Sequence, residues 1–145
     1  MDEKDFKILD LLKENANLTT KQIAKKTLLP ITTIHNRVKK MEKEGIIKKY
    51  TALLDDKKLG TISAYILLTV DYKLLKEKKI SQHQLSKRIL AHKFVENASM
   101  VTGRHDIIIK VRTKNITEMD DFVTKYLRNI DGIERSETMI ILNEI

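Results

Sequence analysis

The sequence predicts an α+β fold in two parts: three short helices over residues 1–50, and a β-α-β-β-α-β segment over residues 61–145, joined by a β-strand linker at 51–60. Three observations predict it. Apolar residues recur at helical spacing as far as Met41. After Lys48-Lys49 they begin to alternate, as in strands. Two helix-start signals, one near Thr19 and one near Ser81, then mark where helices interrupt these runs.

Residues 5–16 put Ile8, Leu9, Leu11, Leu12 and Ala16 on one side of a first helix, with Asp5, Lys7, Asp10, Lys13 and Glu14 largely elsewhere. Thr19 and Gln22 then have capping-box spacing, and Leu18 and Ile23 that of a hydrophobic staple, so a second helix runs from about Thr20 to Lys26. Pro30 disfavours helix in the residue before it and suits a first turn, which starts a third helix near residue 30. Ile31, Ile34, Val38 and Met41 form its apolar stripe, and Gly45 suits a left-handed position past its end. Three helices with a tight second connection within about 45 residues fit a helix-turn-helix.

Tyr50 to Leu54 looks like an extended connector, and Thr61 to Tyr72 a strand with Ile62, Ala64, Ile66, Leu68 and Val70 on one face. Ser81 with Gln84 and Ile80 with Leu85 repeat the cap and staple, opening a helix to about His92. Val95–Thr102 and Ile107–Arg112 read as strands joined by Gly103-Arg104-His105-Asp106. A last helix, about Thr117 to Asn129, turns Met119, Phe122, Val123, Tyr126 and Ile130 to one side, and a strand from Ile133 to Leu142 closes the chain. This order is ferredoxin-like, with both helices on one face of an antiparallel sheet. The other face, with Ser63, Tyr65, Leu67 and Thr69 on its first strand, is partly apolar and is expected to be covered by a second copy of the chain.

Composition narrows the function. In 145 residues there are 28 Lys+Arg against 20 Asp+Glu, a net charge of +8, which favours polyanionic partners. Residues 1–50 hold 12 basic and 7 acidic side chains, more than half of the surplus. The absence of cysteine excludes disulfides, thiolate metal sites and cysteine nucleophiles. The start Met1-Asp2-Glu3-Lys4-Asp5 lacks a signal-like apolar segment, and no apolar run is long enough for a membrane span, so a cytoplasmic location is the expectation. The Lys-rich charge with one Pro and four Gly suits a thermophile, although genome base composition produces the same enrichment.

Opposite the stripe of the third helix lie Thr32, Thr33, Asn36, Lys39, Lys40 and Lys43. Asn pairs bidentately with adenine, Thr meets thymine methyls or phosphate, and lysines reach flanking phosphates; this is what a helix in the major groove of double-stranded DNA needs. A solvated polar face is the plain alternative. His35 and Arg37 flank this surface, and for Arg37 a phosphate contact and an intradomain ion pair stand equal. Lys21, Lys25 and Lys26 sit where the preceding helix would cross the backbone. Gly103, Arg104, His105 and Asp106 form either an ordinary hairpin turn or a ligand loop with an accessible backbone and a carboxylate. Asp120-Asp121 suits a helix start. His35, His83, His92 and His105 lack metal spacing, and the last three are expected at the surface; no catalytic motif or cofactor is implied.

The strings Asp5-Phe6-Lys7-Ile8-Leu9, Gln22-Ile23-Ala24, Arg37-Val38-Lys39-Lys40-Met41-Glu42-Lys43-Glu44-Gly45-Ile46-Ile47 and Val101-Thr102-Gly103-Arg104-His105-Asp106 resemble the Lrp/AsnC (feast/famine) transcription regulators of bacteria and archaea. The resemblance covers essentially the whole chain. It implies a DNA-binding domain, a β-strand linker, and a C-terminal domain that pairs in a homodimer and associates further into tetramers or octamers. It also implies an amino-acid effector near the Gly103–Asp106 loop. Two positions depart from the family pattern: Pro30 replaces the usual serine cap of the third helix, and Arg104-His105 precede the loop aspartate. The rival readings are an amino-acid sensor acting through protein contacts, a non-specific architectural DNA binder, and a small enzyme, which the lack of convergent catalytic groups disfavours.

Overall fold

A computed structural model describes all residues, Met1–Ile145, as two compact units, Met1–Leu53 and Leu54–Ile145. In the first, α1 spans Glu3–Glu14, α2 Thr20–Thr27 and α3 Ile31–Lys43. α1 begins two residues earlier than the apolar pattern suggests because Asp2 caps it. The Asp2 carboxylate accepts from the backbone N–H groups of Lys4 and Asp5, and the Asp5 carboxylate accepts from that of Asp2 at 2.8 Å. The expected Thr19–Gln22 box opens α2.

The core of this unit is Ile8, Ile23, Ala24, Ile34 and Met41, with Leu9, Leu11, Leu12, Leu18, Leu29, Val38 and Ile47 packed round it. Each large side chain so buried contributes about 1.5–3 kcal/mol, which must hold a unit of barely fifty residues. Two expectations are corrected. Ile31, the first residue of α3, is half exposed rather than part of the buried stripe. Asp5, assigned to the solvent side, is 9% exposed and takes part in an ion pair described below.

Leu28, between α2 and α3, adopts φ +58° and is 90% exposed. A left-handed conformation costs an L-residue about 1–2 kcal/mol, whereas glycine's extra unfolded-state entropy costs about 0.5–1 kcal/mol. The leucine side chain packs against little. Leu28→Gly should therefore stabilise the unit by about 0.5–1 kcal/mol, seen as a higher urea midpoint; a lower midpoint would mean that Leu28 has packing not evident from its exposure.

The second unit contains α4 (Asp56–Leu59), β1 (Ile62–Val70), α5 (Tyr72–Glu77), α6 (Gln82–Leu90), β2 (Val95–Met100), β3 (Ile107–Thr113), α7 (Ile116–Asp121) and β4 (Ile133–Ile140). The α7 run continues through a π-helical turn, Phe122–Tyr126, and a 3₁₀ turn, Leu127–Asn129, filling the span expected of one helix. The sheet is antiparallel in the order β2-β3-β1-β4, with Leu68 opposite Ile107 and Ser136. Its core joins Ala64, Ile66, Leu68 and Val70 of β1 to Ile107, Ile109 and Val111 of β3, and to Leu75, Leu85, Ile89, Met119, Phe122 and Leu127 from the helical segments. The ferredoxin-like α+β reading holds.

The β-strand linker at 51–60 is corrected. No residue there pairs as a strand; residues 56–59 form α4, capped by the Asp55 carboxylate and closed by Gly60 at φ +70°. Asp56 is tied to Arg112 and accepts from the Thr61 hydroxyl, and these bonds hold the helical turn in place. The first strand stops at Val70 because Asp71 caps α5.

Candidate nucleic-acid interface and effector pocket

α3 exposes Thr32, His35, Asn36, Lys39, Lys40 and Lys43, while Ile34 and Met41 are buried on its other side. Thr33 and Arg37 are half-buried at the edge of this face. Lys39 reaches Glu42 of the same helix at 3.0 Å, and Lys40 reaches Glu44, the residue that caps its end, at 3.8 Å. Lys21 and Lys43 are exposed with no carboxylate in reach. Pairs between exposed charges are weak, so these lysines lose little on turning to phosphate. The Glu42 carboxylate is held below its ordinary range chiefly by Lys39, then by the Tyr50 hydroxyl, which donates to it at 2.9 Å.

Arg37 is committed differently. One terminal guanidinium nitrogen donates to Asp2 and to Asp5, each at 2.8 Å, and so ties the middle of α3 to the N-terminal cap of α1. Of the two readings open for Arg37, the structure forms the intradomain ion pair. The Asp5 carboxyl is held low first by the Asp2 N–H and then by Arg37, and the Asp2 carboxyl first by Arg37. A carboxylate with a depressed folded pKa contributes stability that is complete above its unfolded value, about 3.9, and is lost as pH falls through the folded value. Acid should therefore loosen the Arg37 tie from about pH 4 downward. Circular dichroism melts of the wild type across pH 2–6 should show this loss, and it should be shallower in Asp5→Asn; identical pH profiles would remove the tie from the account.

The Gly103–Asp106 loop closes the β2–β3 hairpin. Gly103 stands at φ +117°, beyond what a side chain tolerates, with open space around it. The Asp106 carboxylate accepts from the Val70 backbone N–H and from the Tyr72 hydroxyl, both at 2.8 Å, and the Asp106 carbonyl accepts from the Gln82 side-chain amide at 2.9 Å. Asp106 therefore anchors the loop to the end of β1, to α5 and to α6. The Tyr72 hydroxyl is correspondingly pushed above its ordinary value, first by this carboxylate. His105 is not at the surface as expected: it is largely buried, its Nδ1 has no hydrogen-bond partner, and its Nε2 lies 3.5 Å from Glu137. His92 is corrected likewise. It is half-buried within ring contact of Phe94, Phe122 and Tyr126, and burial lowers its pKa.

Arg104 and His105 overhang a cavity of about 460 Å³ on the sheet face away from the helices. Its remaining lining is Leu67, Thr69, Arg135, Ser136 and Glu137. Register explains the grouping: Thr69 pairs with Arg135 and Leu67 with Glu137. The β4 contributors escaped the sequence reading, where Ile133 to Leu142 registered as apolar; the alternation of Arg135 and Glu137 two apart was the available signal. The same sheet face is partly occupied by the chain's own end, where Glu144 pairs with Lys110 at 2.5 Å.

Comparison with known proteins agrees with both units. Residues 1–48 match the family described as winged helix-turn-helix DNA-binding, and residues 63–145 match the Lrp/AsnC ligand binding domain. The HTH-type transcriptional regulator FL11 of Pyrococcus furiosus is 33% identical over 143 residues, covering 98% of this chain and 89% of its own. AsnC of E. coli superposes with a TM-score of 0.71 at 27% identity, over 99% of this chain and 93% of that one. LrpC of B. subtilis does so with 0.73 at 25% identity, over 100% and 96%. The chain belongs to the Lrp/AsnC family of DNA-binding transcription regulators, which are not enzymes.

Proposed function

We propose that this regulator acts as a cytoplasmic homodimer, able to associate further, whose two α3 helices enter successive major grooves and read an inverted repeat of short half-sites. Thr32, Thr33 and Asn36 read base edges. Lys21, Lys39, Lys40, Lys43 and the flanking His35 contact the backbone, and Arg37 holds α3 at the angle at which it meets the groove. The observation that carries this reading is the polar face of α3, open along its length while its opposite face is docked and its middle is tied to α1. An effector bound by the loop residues Gly103, Arg104 and His105 modulates DNA binding. Asp106 serves that site by holding the loop, since both carboxylate oxygens already accept hydrogen bonds.

The test is a fluorescence-anisotropy titration of the protein against the duplex upstream of its own gene and a scrambled duplex, over a range of salt. Tighter binding to the native duplex at every salt concentration, with both affinities falling as salt rises, supports specific regulation. Equal affinity for both, and for sites enriched from random sequence, would favour the architectural reading that the basic N-terminal unit also permits.

A further inference from the structure

We infer that Arg37 is itself a DNA contact, gripping a phosphate through the edge of its guanidinium that the ion pair leaves free, and that Asp2 beside it weakens that grip. This rests on the placing of α3 in the major groove proposed above and adds a phosphate site to it. The bonds to Asp2 and Asp5 are all made by one terminal nitrogen, Nη1. The other terminal nitrogen, Nη2, and Nε donate to no group of the chain, and neither is sealed off from solvent. Their N–H groups lie along one side of the planar guanidinium and form the fork that takes two oxygens of a phosphate. An arginine whose whole fork was spent on the fold would have no such edge to offer.

The surroundings fit a phosphodiester. Arg37 shares a recess of about 500 Å³ with Thr33, Asn36 and Lys40 of α3 and with Asp2 and Asp5 at the start of α1. Asn36 and Lys40 stand on the face assigned to DNA, so the recess adjoins the base-reading residues, where the sugar-phosphate backbone borders the groove. Lys40 brings a second cation, whose one carboxylate partner, Glu44, is 3.8 Å away. The two carboxylates of the recess are not equivalent. Asp5 is nearly buried and accepts from the Asp2 N–H as well as from Arg37, so its charge is compensated within the fold. Asp2 is exposed, and like charges a few ångströms apart repel, so it opposes the phosphate that Arg37 and Lys40 attract. The fold does not need that charge, since an uncharged serine caps a helix as well as aspartate does.

The experiment is the same anisotropy titration of the full chain, at low and high salt, with Asp2→Ser, with Glu3→Gln, and with Asp2→Ser combined with Arg37→Gln. Asp2→Ser keeps a side-chain cap on α1 and leaves Arg37 bonded to Asp5. Glu3→Gln removes the same charge one residue along, from a carboxylate that pairs with Lys7 at 2.8 Å and does not line the recess. Asp2→Ser should bind both duplexes about 3- to 10-fold more tightly at low salt, with the gain shrinking as salt rises. Glu3→Gln should stay within about twofold of the wild type. Adding Arg37→Gln should cancel the gain of Asp2→Ser and lower the slope of log affinity against log salt by about one. The first two variants decide the matter even if the third unfolds, because both keep the Arg37–Asp5 bond. An Asp2→Ser protein no tighter than the wild type, or matched by Glu3→Gln, would overturn the inference, as would a gain that survives intact without Arg37. Arg37 would then serve only to tie α3 to α1, with α3 still in the groove. A wild-type chain that binds neither duplex would overturn the placing of α3 as well.

Discussion

Gly132→Ala should lower the melting temperature of the C-terminal unit by roughly 15–30 °C. Gly132 lies at φ +101°, outside the small left-handed well that other residues can enter, and strain there is on the order of 1–3 kcal/mol. A Cβ at this position would stand 2.5 Å from Leu75 Cδ2 and 3.4 Å from Leu85 Cδ2. The end of a leucine side chain can swing away in open surroundings, but Leu75 and Leu85 are both buried in the main core. Overpacking of such a core costs about 1–3 kcal/mol, so the two effects together reach about 3–5 kcal/mol. For a unit of this size each kcal/mol moves the midpoint by about 4–8 °C. The Gly132 carbonyl also accepts the Asp71 N–H that begins α5, so a shifted backbone would disturb that helix start. Differential scanning calorimetry of the full chain is the check. A shift under about 5 °C would mean that the 130–132 turn relaxes freely, and that the contact with Leu75 does not constrain it.

Gly132 also shows why some of this fold was legible in the sequence and some was not. Helix starts written in four consecutive residues, Thr19 to Gln22 and Ser81 to Gln84, were readable because cap and backbone are local to one another. The first strand of the sheet was readable from alternation, since Ala64, Ile66, Leu68 and Val70 pack against the helices. What escaped depends on partners far apart in the chain. Asp2 and Arg37 are 35 residues apart, and nothing near Asp5 says that a cation from another helix will bury it. The linker was misread for the same reason, because its helical turn is fixed by Arg112 of β3. Arg135 and Glu137 became pocket residues only once β4 was paired with β1. Of the site residues, the polar face of α3 follows from helical geometry alone, whereas the pocket needs the sheet register, which no local pattern supplies.

The second large effect concerns DNA. Asn36→Ala should reduce discrimination between operator and scrambled duplex by about 5- to 100-fold, while binding to the scrambled duplex changes little. Asn36 lies on the far side of α3 from buried Ile34 and is exposed, so its removal opens no cavity. Alanine is also the better helix former, so loss of specificity cannot come from unfolding of α3. A bidentate contact of asparagine with adenine is worth about 1–3 kcal/mol against the wrong base, which sets the expected factor. Because the side chain is uncharged, the salt dependence should stay as it was. Lys43→Ala should do the reverse, leaving the ratio of affinities intact while lowering the slope of log affinity against log salt by about one. These opposite signatures separate base reading from phosphate contact on one helix. An Asn36→Ala protein that keeps its discrimination would move sequence reading to Thr32 and Thr33, at the N-terminal end of α3. If instead it lost affinity for both duplexes equally, Asn36 would be a backbone contact, and specificity would have to come from the shape and bending of the operator.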